Sequence, residues 1–125
     1  MSRTFIHPYQ TRYHAQAIYS KAIRAKGDFV FMQGQVGTLL DGTLIGPGDP
    51  RAQADQTCRN IDQWMTEAGG SLKDVFKLTV YVTHIDYRPA VYDAINRWFD
   101  GVQHCSTGVV VQGLADPSLL GSVDI

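Results

Sequence analysis

The stretch "QTCRNIDQWMTEAGGSLKDVFKLTVYV", residues 56–82, decides the fold, because it reads as a helix followed directly by a half-buried strand. Asp49 is the predicted N-cap of the helix, and Pro50 suits its first turn. The pair Gly69–Gly70 is expected to end the helix in a left-handed conformation. Small and apolar residues recur between these signals at helical spacing, namely Ala54, Cys58, Ile61, Met65 and Ala68. We therefore predict one helix here, in which Cys58 is a small buried apolar residue rather than a reactive thiol.

The segment "FKLTVYVTH", residues 76–84, alternates between apolar and polar residues almost without a break. Successive side chains of a strand point to opposite faces, so Leu78 and Val80 share one face while Lys77 and Thr79 share the other. This period of two predicts a strand with one face in the core.

Weaker signals complete the chain. Residues 18–26 and 29–37 read as two strands joined at Gly27–Asp28, which predicts a hairpin. A second helix is expected over 87–99, with Asp86 as its cap and Pro89 in its first turn. "TGVVVQGL" (107–114) and "LLGSVDI" (119–125) read as the last two strands. The order β-β-α-β-α-β-β predicts a single α+β domain over residues 1–125, with a mixed β-sheet and two helices on one face.

Two of these strands carry apolar groups on both sides, in "GVVVQG" (108–113) and "FVFM" (29–32). Two helices can cover only one face of the sheet, and a large bare apolar face is unusual on a soluble monomer. We therefore expect copies of the chain to associate with their uncovered sheet faces turned inward.

Composition excludes several classes of protein. The formal net charge of −1 offers no electrostatic footprint for nucleic acid or for an acidic membrane surface. Two distant cysteines suggest neither a disulfide framework nor a zinc site, and no metal is expected. The first ten residues lack the apolar core of a signal peptide, so a cytoplasmic location is the expectation.

Several motifs together resemble the RidA/YjgF family. They are "YSKA" (19–22), "QGQVG" (33–37), the block 56–82 and "INRWF" (95–99). The resemblance implies a chorismate-mutase-like fold, a homotrimer with a central barrel, and small-molecule sites in the clefts between subunits. It also implies hydrolysis of enamines and imines, such as 2-aminoacrylate, without any cofactor.

Four positions depart from the family pattern that the resemblance supplies. The arginine that holds a substrate carboxylate falls on Ser106, or on Cys105 if the strand bulges by one residue. The glutamate of the last strand, which holds the attacking water, falls on Ser122, and Asp124 should point to the same face. Tyr92 stands at an asparagine position and Gln33 at a serine position. Neither Ser106 nor Cys105 can make a bidentate, charge-assisted contact with a carboxylate.

These positions give two sets of candidate residues. The substrate-binding set is Tyr19, Gln33, Gly34, Tyr92, Ser106 and Thr107, and the catalytic set is Ser122, Asp124 and Cys105. Cys105 is either a nucleophile at the pocket or a small buried residue, and His104 cannot easily be its base because adjacent strand residues face opposite ways. Gly34 and Gly37 are expected to allow close approach of the backbone.

Three functions remain open at this stage. The leading hypothesis is an enzyme that hydrolyses an imine, enamine or related C–N bond in a neutral or weakly polar substrate. The second is a ligand-binding or regulatory trimer without turnover. The third is an endoribonuclease, against which the weakly acidic charge balance counts.

Overall fold

A computed structural model of the chain describes residues 2–8 and 19–125. The strands are β1 (Ser2–Pro8), β2 (Ser20–Lys26), β3 (Lys77–Val82), β4 (Cys105–Val110) and β5 (Gly121–Asp124). The helices are α1 (Pro50–Glu67) and α2 (Arg88–Trp98), with short 3-10 turns at Leu72–Asp74 and Ile85–Tyr87.

The strands form a mixed arrangement around β3. Strand β3 pairs with β4 in parallel and with β5 antiparallel, which gives the order β4-β3-β5. Strands β1 and β2 form an antiparallel ladder of their own. The backbone N–H of Ser20 donates to the carbonyl of His104 at 3.0 Å, so β2 begins where β4 is about to start. The expected α+β class with a mixed sheet is confirmed.

The core lies between one face of β3 and the two helices. Leu78, Val80 and Val82 are at most 1% exposed, as their alternation predicts. Opposite them pack Cys58, Ile61 and Met65 of α1, together with Val91, Ala94 and Ile95 of α2. Burial of these side chains, each contributing roughly 1.5–3 kcal/mol when large, fixes both helices on the same face of the sheet.

The ends of α1 follow the sequence signals. The Asp49 carboxylate accepts from the backbone N–H of Ala52 at 3.1 Å, and Pro50 occupies the first turn. Gly69 has φ 89°, a left-handed conformation that ends the helix and that other residues adopt at a cost.

The predicted hairpin of residues 18–26 and 29–37 is wrong. Ile18 lies outside the described residues, and β2 pairs with the N-terminal strand β1, which was not predicted. Residues 29–37 form no strand; Gln35 makes a single antiparallel bridge with Val123, with N–O distances of 2.8 and 2.9 Å. Residues 29–37 do favour β structure locally. One edge of β2 is occupied by β1, however, so the turn at Gly27–Asp28 does not determine which strand pairs with β2.

The second helix begins at Arg88, and Asp86 is not its cap. His84 Nδ1 accepts from the backbone N–H of Asp86 at 3.1 Å, which caps the preceding 3-10 turn instead. Tyr87, the residue before α2, provides no side-chain cap. The remaining predicted strands exist with different bounds. Strands β3 and β5 are shorter than the predicted 76–84 and 119–125, whereas β4 begins two residues before the predicted 107–114 and ends at Val110.

Candidate active-site groove

A groove of ≈ 1120 Å³ lies where β2, β4 and the first turns of α2 meet. It brings together five of the nine predicted site residues, namely Tyr19, Tyr92, Cys105, Ser106 and Thr107. Its lining residues come from β2, from β4, from Lys77 of β3 and from the first turns of α2. The site therefore depends on the short Tyr19–His104 bridge that holds β2 beside β4.

Tyr19 is a buried anchor of this groove, with 6% of its surface exposed. Its hydroxyl donates to Oδ1 of Asn96 at 2.9 Å. Burial, and then the neighbouring Tyr92, raise the pKa of Tyr19 to about 12, although Arg88 and the Asn96 hydrogen bond oppose the shift. Tyr19 is therefore a neutral phenol whose hydroxyl is committed to α2, which favours a packing role over direct ligand contact.

The register of β4 against β3 settles which way its residues point. Cys105 and Thr107 lie beside Lys77 and Thr79, on the face that the helices leave uncovered. Ser106 lies beside buried Leu78, on the helix face. The ladder runs residue for residue without a bulge, so Ser106 keeps the position assigned to it by the resemblance.

The hydroxyls of Ser106 and Thr107 have different surroundings. Thr107 Oγ1 accepts a hydrogen bond from Lys77 Nζ at 3.0 Å. Ser106 Oγ is shut off from solvent and has no hydrogen-bond partner among the described residues. Thr107 thus presents its hydroxyl on the uncovered face, whereas the Ser106 hydroxyl is buried on the helix face.

Cys105 and His104 do not form a catalytic pair. Cys105 Sγ donates to the carbonyl of Ser20 at 3.4 Å and borders the groove. His104 is fully buried on the other side, where its ring packs against Tyr19 and Phe99. Burial lowers the pKa of His104 below its ordinary value of 6.5, so the imidazole is neutral. Cys58 is buried as predicted, and burial raises its pKa to about 12.

The other four predicted residues form a separate group on β5 and the chain beside it. A Cβ on Gly34 would lie 3.2 Å from Ser122 Oγ. The backbone carbonyl of Gln33 accepts a hydrogen bond from Gln35 Nε2 at 2.6 Å. Ser122 pairs with Tyr81 and Asp124 with Thr79, so both point to the uncovered face, as expected. Because β3 separates β5 from β4, these residues do not line the groove of their own chain.

Charged residues that sequence reasoning did not select also line the groove. They are Lys21 of β2, Lys77 of β3 and Arg88 of α2. Arg88 and Tyr92 are four residues apart on α2, and such positions share one face of a helix. This spacing from the predicted site residue Tyr92 could have identified Arg88 from the sequence.

The described ranges 2–8 and 19–125 contain neither a metal-binding cluster nor a membrane-spanning helix. No three His, Cys, Asp or Glu side chains there are grouped so that they could share a metal ion. No helix among these residues has the length and apolar character needed to cross a membrane. A second cavity of ≈ 510 Å³ lies between Phe29, Phe31 and the end of α1 and contains none of the predicted site residues.

Comparisons with known proteins agree with this architecture. The family model described as Endoribonuclease L-PSP matches residues 9–121. A RutC family protein of Pyrococcus abyssi is 30% identical over 102 residues, covering 82% of this chain and 80% of that protein. A 2-iminobutanoate/2-iminopropanoate deaminase of Dermatophagoides farinae is 26% identical over 81 residues, covering 65% of this chain and 62% of the relative.

The crystal structure of a Rid-family protein of unknown function from Yersinia pestis superposes with a TM-score of 0.84. It is 27% identical, and the match covers 99% of this chain and 96% of that one. The family model, the relatives and this shared fold lead to one conclusion: the chain belongs to the RidA/YjgF family.

Proposed function

We propose that the protein hydrolyses an imine, enamine or related C–N bond in the groove between β2, β4 and α2. The observation that carries the proposal is the groove itself, which gathers five of the nine predicted residues beside one strand. The relative from Dermatophagoides farinae, named as a deaminase of imino acids, supports this reaction class.

The reaction needs water and no covalent intermediate. Water adds to the imine carbon, the resulting carbinolamine transfers its hydroxyl proton to nitrogen, and the C–N bond breaks to leave a carbonyl group and ammonia. An enamine enters the same route after tautomerising to its imine. The protein must therefore orient the C–N bond, hold one water and move a proton.

Among the described residues that line the groove of one chain, none is a carboxylate that could position this water. Ser122 and Asp124 occupy the same sheet face as Cys105 and Thr107 but lie on the far side of β3. Two strand spacings separate them, about 10 Å across the sheet. We propose that a neighbouring copy in a homotrimer with a central barrel brings its Ser122 and Asp124 to this groove, where Asp124 or Ser122 holds the water.

Exposed apolar side chains support such an assembly. Phe31 is 86% exposed and Phe29 52%, while Val109 and Val110 of β4 are 37% and 47% exposed. Leaving these groups in water is unfavourable by roughly 25 cal/mol for each Å² of apolar surface. Light scattering of the purified protein at micromolar concentration should give three times the chain mass, and a stable monomer would remove the completed site.

The substrate is expected to differ from 2-aminoacrylate, because Ser106 cannot grip a carboxylate from the position where the resemblance expects arginine. Ammonia release from enzymatically generated 2-aminoacrylate tests this expectation. Release should be slower than that of a family member that carries the arginine, and equal rates would defeat the claim. Screening other imines for ammonia release then tests the reaction class.

A non-catalytic ligand-binding trimer is the second candidate, favoured by the serines that stand at the family's arginine and glutamate positions, Ser106 and Ser122. Thermal-shift screening of metabolites, followed by chemical recovery of each stabilising ligand, separates the two functions. A ligand recovered unchanged supports the binder. The family description also names an endoribonuclease; loss of RNA cleavage in the Cys105→Ala variant would support that activity instead.

A further inference from the structure

Two buried polar atoms close to the start of β4 have no hydrogen-bond partner among the described residues. They are Nε2 of His104 and Oγ of Ser106, and both are shut off from solvent. Buried polar side chains in folded proteins almost always have a partner, either in the protein or in an ordered water molecule. Two unpaired atoms on neighbouring positions of one strand therefore point to one shared partner.

The hydrogen bond at Nδ1 assigns the tautomer of His104. Nδ1 lies 2.9 Å from the carbonyl oxygen of Val102, and because a carbonyl can only accept, Nδ1 carries the ring proton. Burial lowers the pKa of His104, so the ring is neutral and Nε2 is unprotonated. The ring is held against Tyr19 and Phe99, with centroid distances of 4.9 and 5.5 Å. The partner of Nε2 must therefore be a hydrogen-bond donor.

Ser106 lies within reach of the same partner. Residues 104 and 106 of an extended chain point to the same face, with their Cβ atoms about 6.6 Å apart. Ser106 lies beside buried Leu78, on the side of the sheet that the helices cover. The two polar atoms do not bond each other. A single oxygen atom that bonds both can bridge up to about 6 Å, which suits this spacing.

Neither a neighbouring subunit nor a ligand in the groove fits as this partner. Both atoms are enclosed within a single chain, so a second copy packed against its surface does not reach them. Ser106 borders the groove, but its hydroxyl oxygen has no accessible surface to offer a ligand there. The partner must be small enough to lie inside the chain, and it must donate one hydrogen bond while it accepts another.

We propose that one internal water molecule is bound between His104 and Ser106. It donates a hydrogen bond to Nε2 and accepts one from the Ser106 hydroxyl. Internal water molecules commonly make roughly two to four hydrogen bonds to buried groups that lack another partner. The site gives the Ser106 hydroxyl a role in holding water inside the chain and not in contacting a substrate. It does not depend on the proposed function.

The water lies where β2 and β4 separate to form the groove. The backbone N–H of Ser20 donates to the carbonyl of His104 at 3.0 Å, which attaches β2 to the start of β4. The link from His104 through water to Ser106 joins that attachment to the part of β4 that borders the groove. The bound water thus restrains the fork between the two strands.

A crystal structure of the wild-type protein that resolves ordered water is the direct test. Electron density for one oxygen is expected about 2.7–3.2 Å from both Nε2 of His104 and Oγ of Ser106. Long-range proton–nitrogen NMR spectra of the His104 ring should show the proton on Nδ1 and an unprotonated Nε2. The inference is overturned if no density lies between the two atoms, if Ser106 bonds His104 directly, or if Nε2 carries the proton.

A double-mutant cycle tests the same link in solution. Ser106→Ala should lower the folding equilibrium constant, measured by urea unfolding at one protein concentration, about 2- to 12-fold, the range of one net hydrogen bond. His104→Phe removes the other end of the link while it keeps an aromatic ring. The double variant should lose less than the product of the two factors, because an apolar pair leaves neither polar atom unpaired.

Thr107→Ala is the matched control for position. Thr107 follows Ser106 but lies on the uncovered face, where Lys77 Nζ donates to its hydroxyl at 3.0 Å. Thr107→Ala and His104→Phe should therefore give additive losses. Additive losses for Ser106→Ala with His104→Phe would overturn the inference, and so would equal coupling of His104 to both positions. If His104→Phe does not fold, the crystal structure and the spectra of the wild type still decide.

Discussion

Gln53 Oε1 accepts a hydrogen bond from the backbone N–H of Leu120 at 2.9 Å, which ties helix α1 to the residue just before β5. The same amide donates from Nε2 to the carbonyls of Gly46 and Ser118, both at 3.1 Å. Gln53 is only 2% exposed. One buried side chain thus joins three backbone segments and positions the strand that carries Ser122 and Asp124.

We predict that Gln53→Leu destabilises the protein by at least about 2 kcal/mol. The substitution removes three part-buried hydrogen bonds, from one backbone N–H and two carbonyls, and each such bond contributes about 0.5–1.5 kcal/mol. Urea unfolding measures the change. Gln56→Leu is the control, because among the described residues Gln56 bonds only the Asn60 side chain one turn away. An equal loss in both variants would contradict the prediction.

Gly37 is predicted to tolerate no side chain. A Cβ there would lie 2.7 Å from the Cα of Gln53 and 2.8 Å from its carbonyl oxygen, both of which are backbone atoms that cannot move aside cheaply. Gly37→Ala should lower stability by about 1–3 kcal/mol, as overpacking commonly does. Gly113→Ala, where nothing lies within 4 Å of the new methyl group, should unfold like the wild type.

The Tyr19–Asn96 hydrogen bond is expected to contribute about 0.5–1.5 kcal/mol. Tyr19 has other neighbours, so a double-mutant cycle of Tyr19→Phe and Asn96→Ala isolates the pair. The two changes should be non-additive by that amount in urea unfolding. Additive effects would mean that the hydroxyl and the amide do not interact energetically.

His104 predicts acid sensitivity with a defined sign. Burial lowers its pKa in the folded state below the ordinary 6.5, so the unfolded chain binds more protons in that pH range. The contribution of neutral His104 to the free energy of unfolding is fully present above pH 6.5 and is lost as the pH falls below that value. In the His104→Gln variant residue 104 does not titrate. This variant should therefore lose less free energy of unfolding than the wild type when the pH falls from about 7.5 to about 5.5, an interval that spans the ordinary histidine pKa. An identical pH dependence in both proteins would show that other groups dominate.

The two cysteines should differ in reactivity. Cys58 has no exposed surface, and burial raises its pKa to about 12, so little thiolate forms near neutral pH. The Cys105→Ser variant should therefore react with Ellman's reagent only after unfolding in urea. Rapid labelling of this folded variant would contradict the burial of Cys58.

Much of the fold was readable from the sequence because its signals are local. The Asp49–Pro50 start and the Gly69 stop of α1 follow from chemistry within a few residues, as does the alternation that buries Leu78 and Val80. Pairing is not local. Nothing between residues 18 and 37 indicates that β1, rather than the following segment, would take the edge of β2.

The site divides in the same way. The sequence by itself determined which residues carry reactive or hydrogen-bonding groups near the groove, and Tyr19, Tyr92, Cys105, Ser106 and Thr107 do line it. Only the tertiary structure decided that Ser122 lies across β3, and that Arg88 stands over Gly108. Those relations join elements far apart in the chain, and they follow from the packing of α2 against the sheet, which no short stretch of residues encodes.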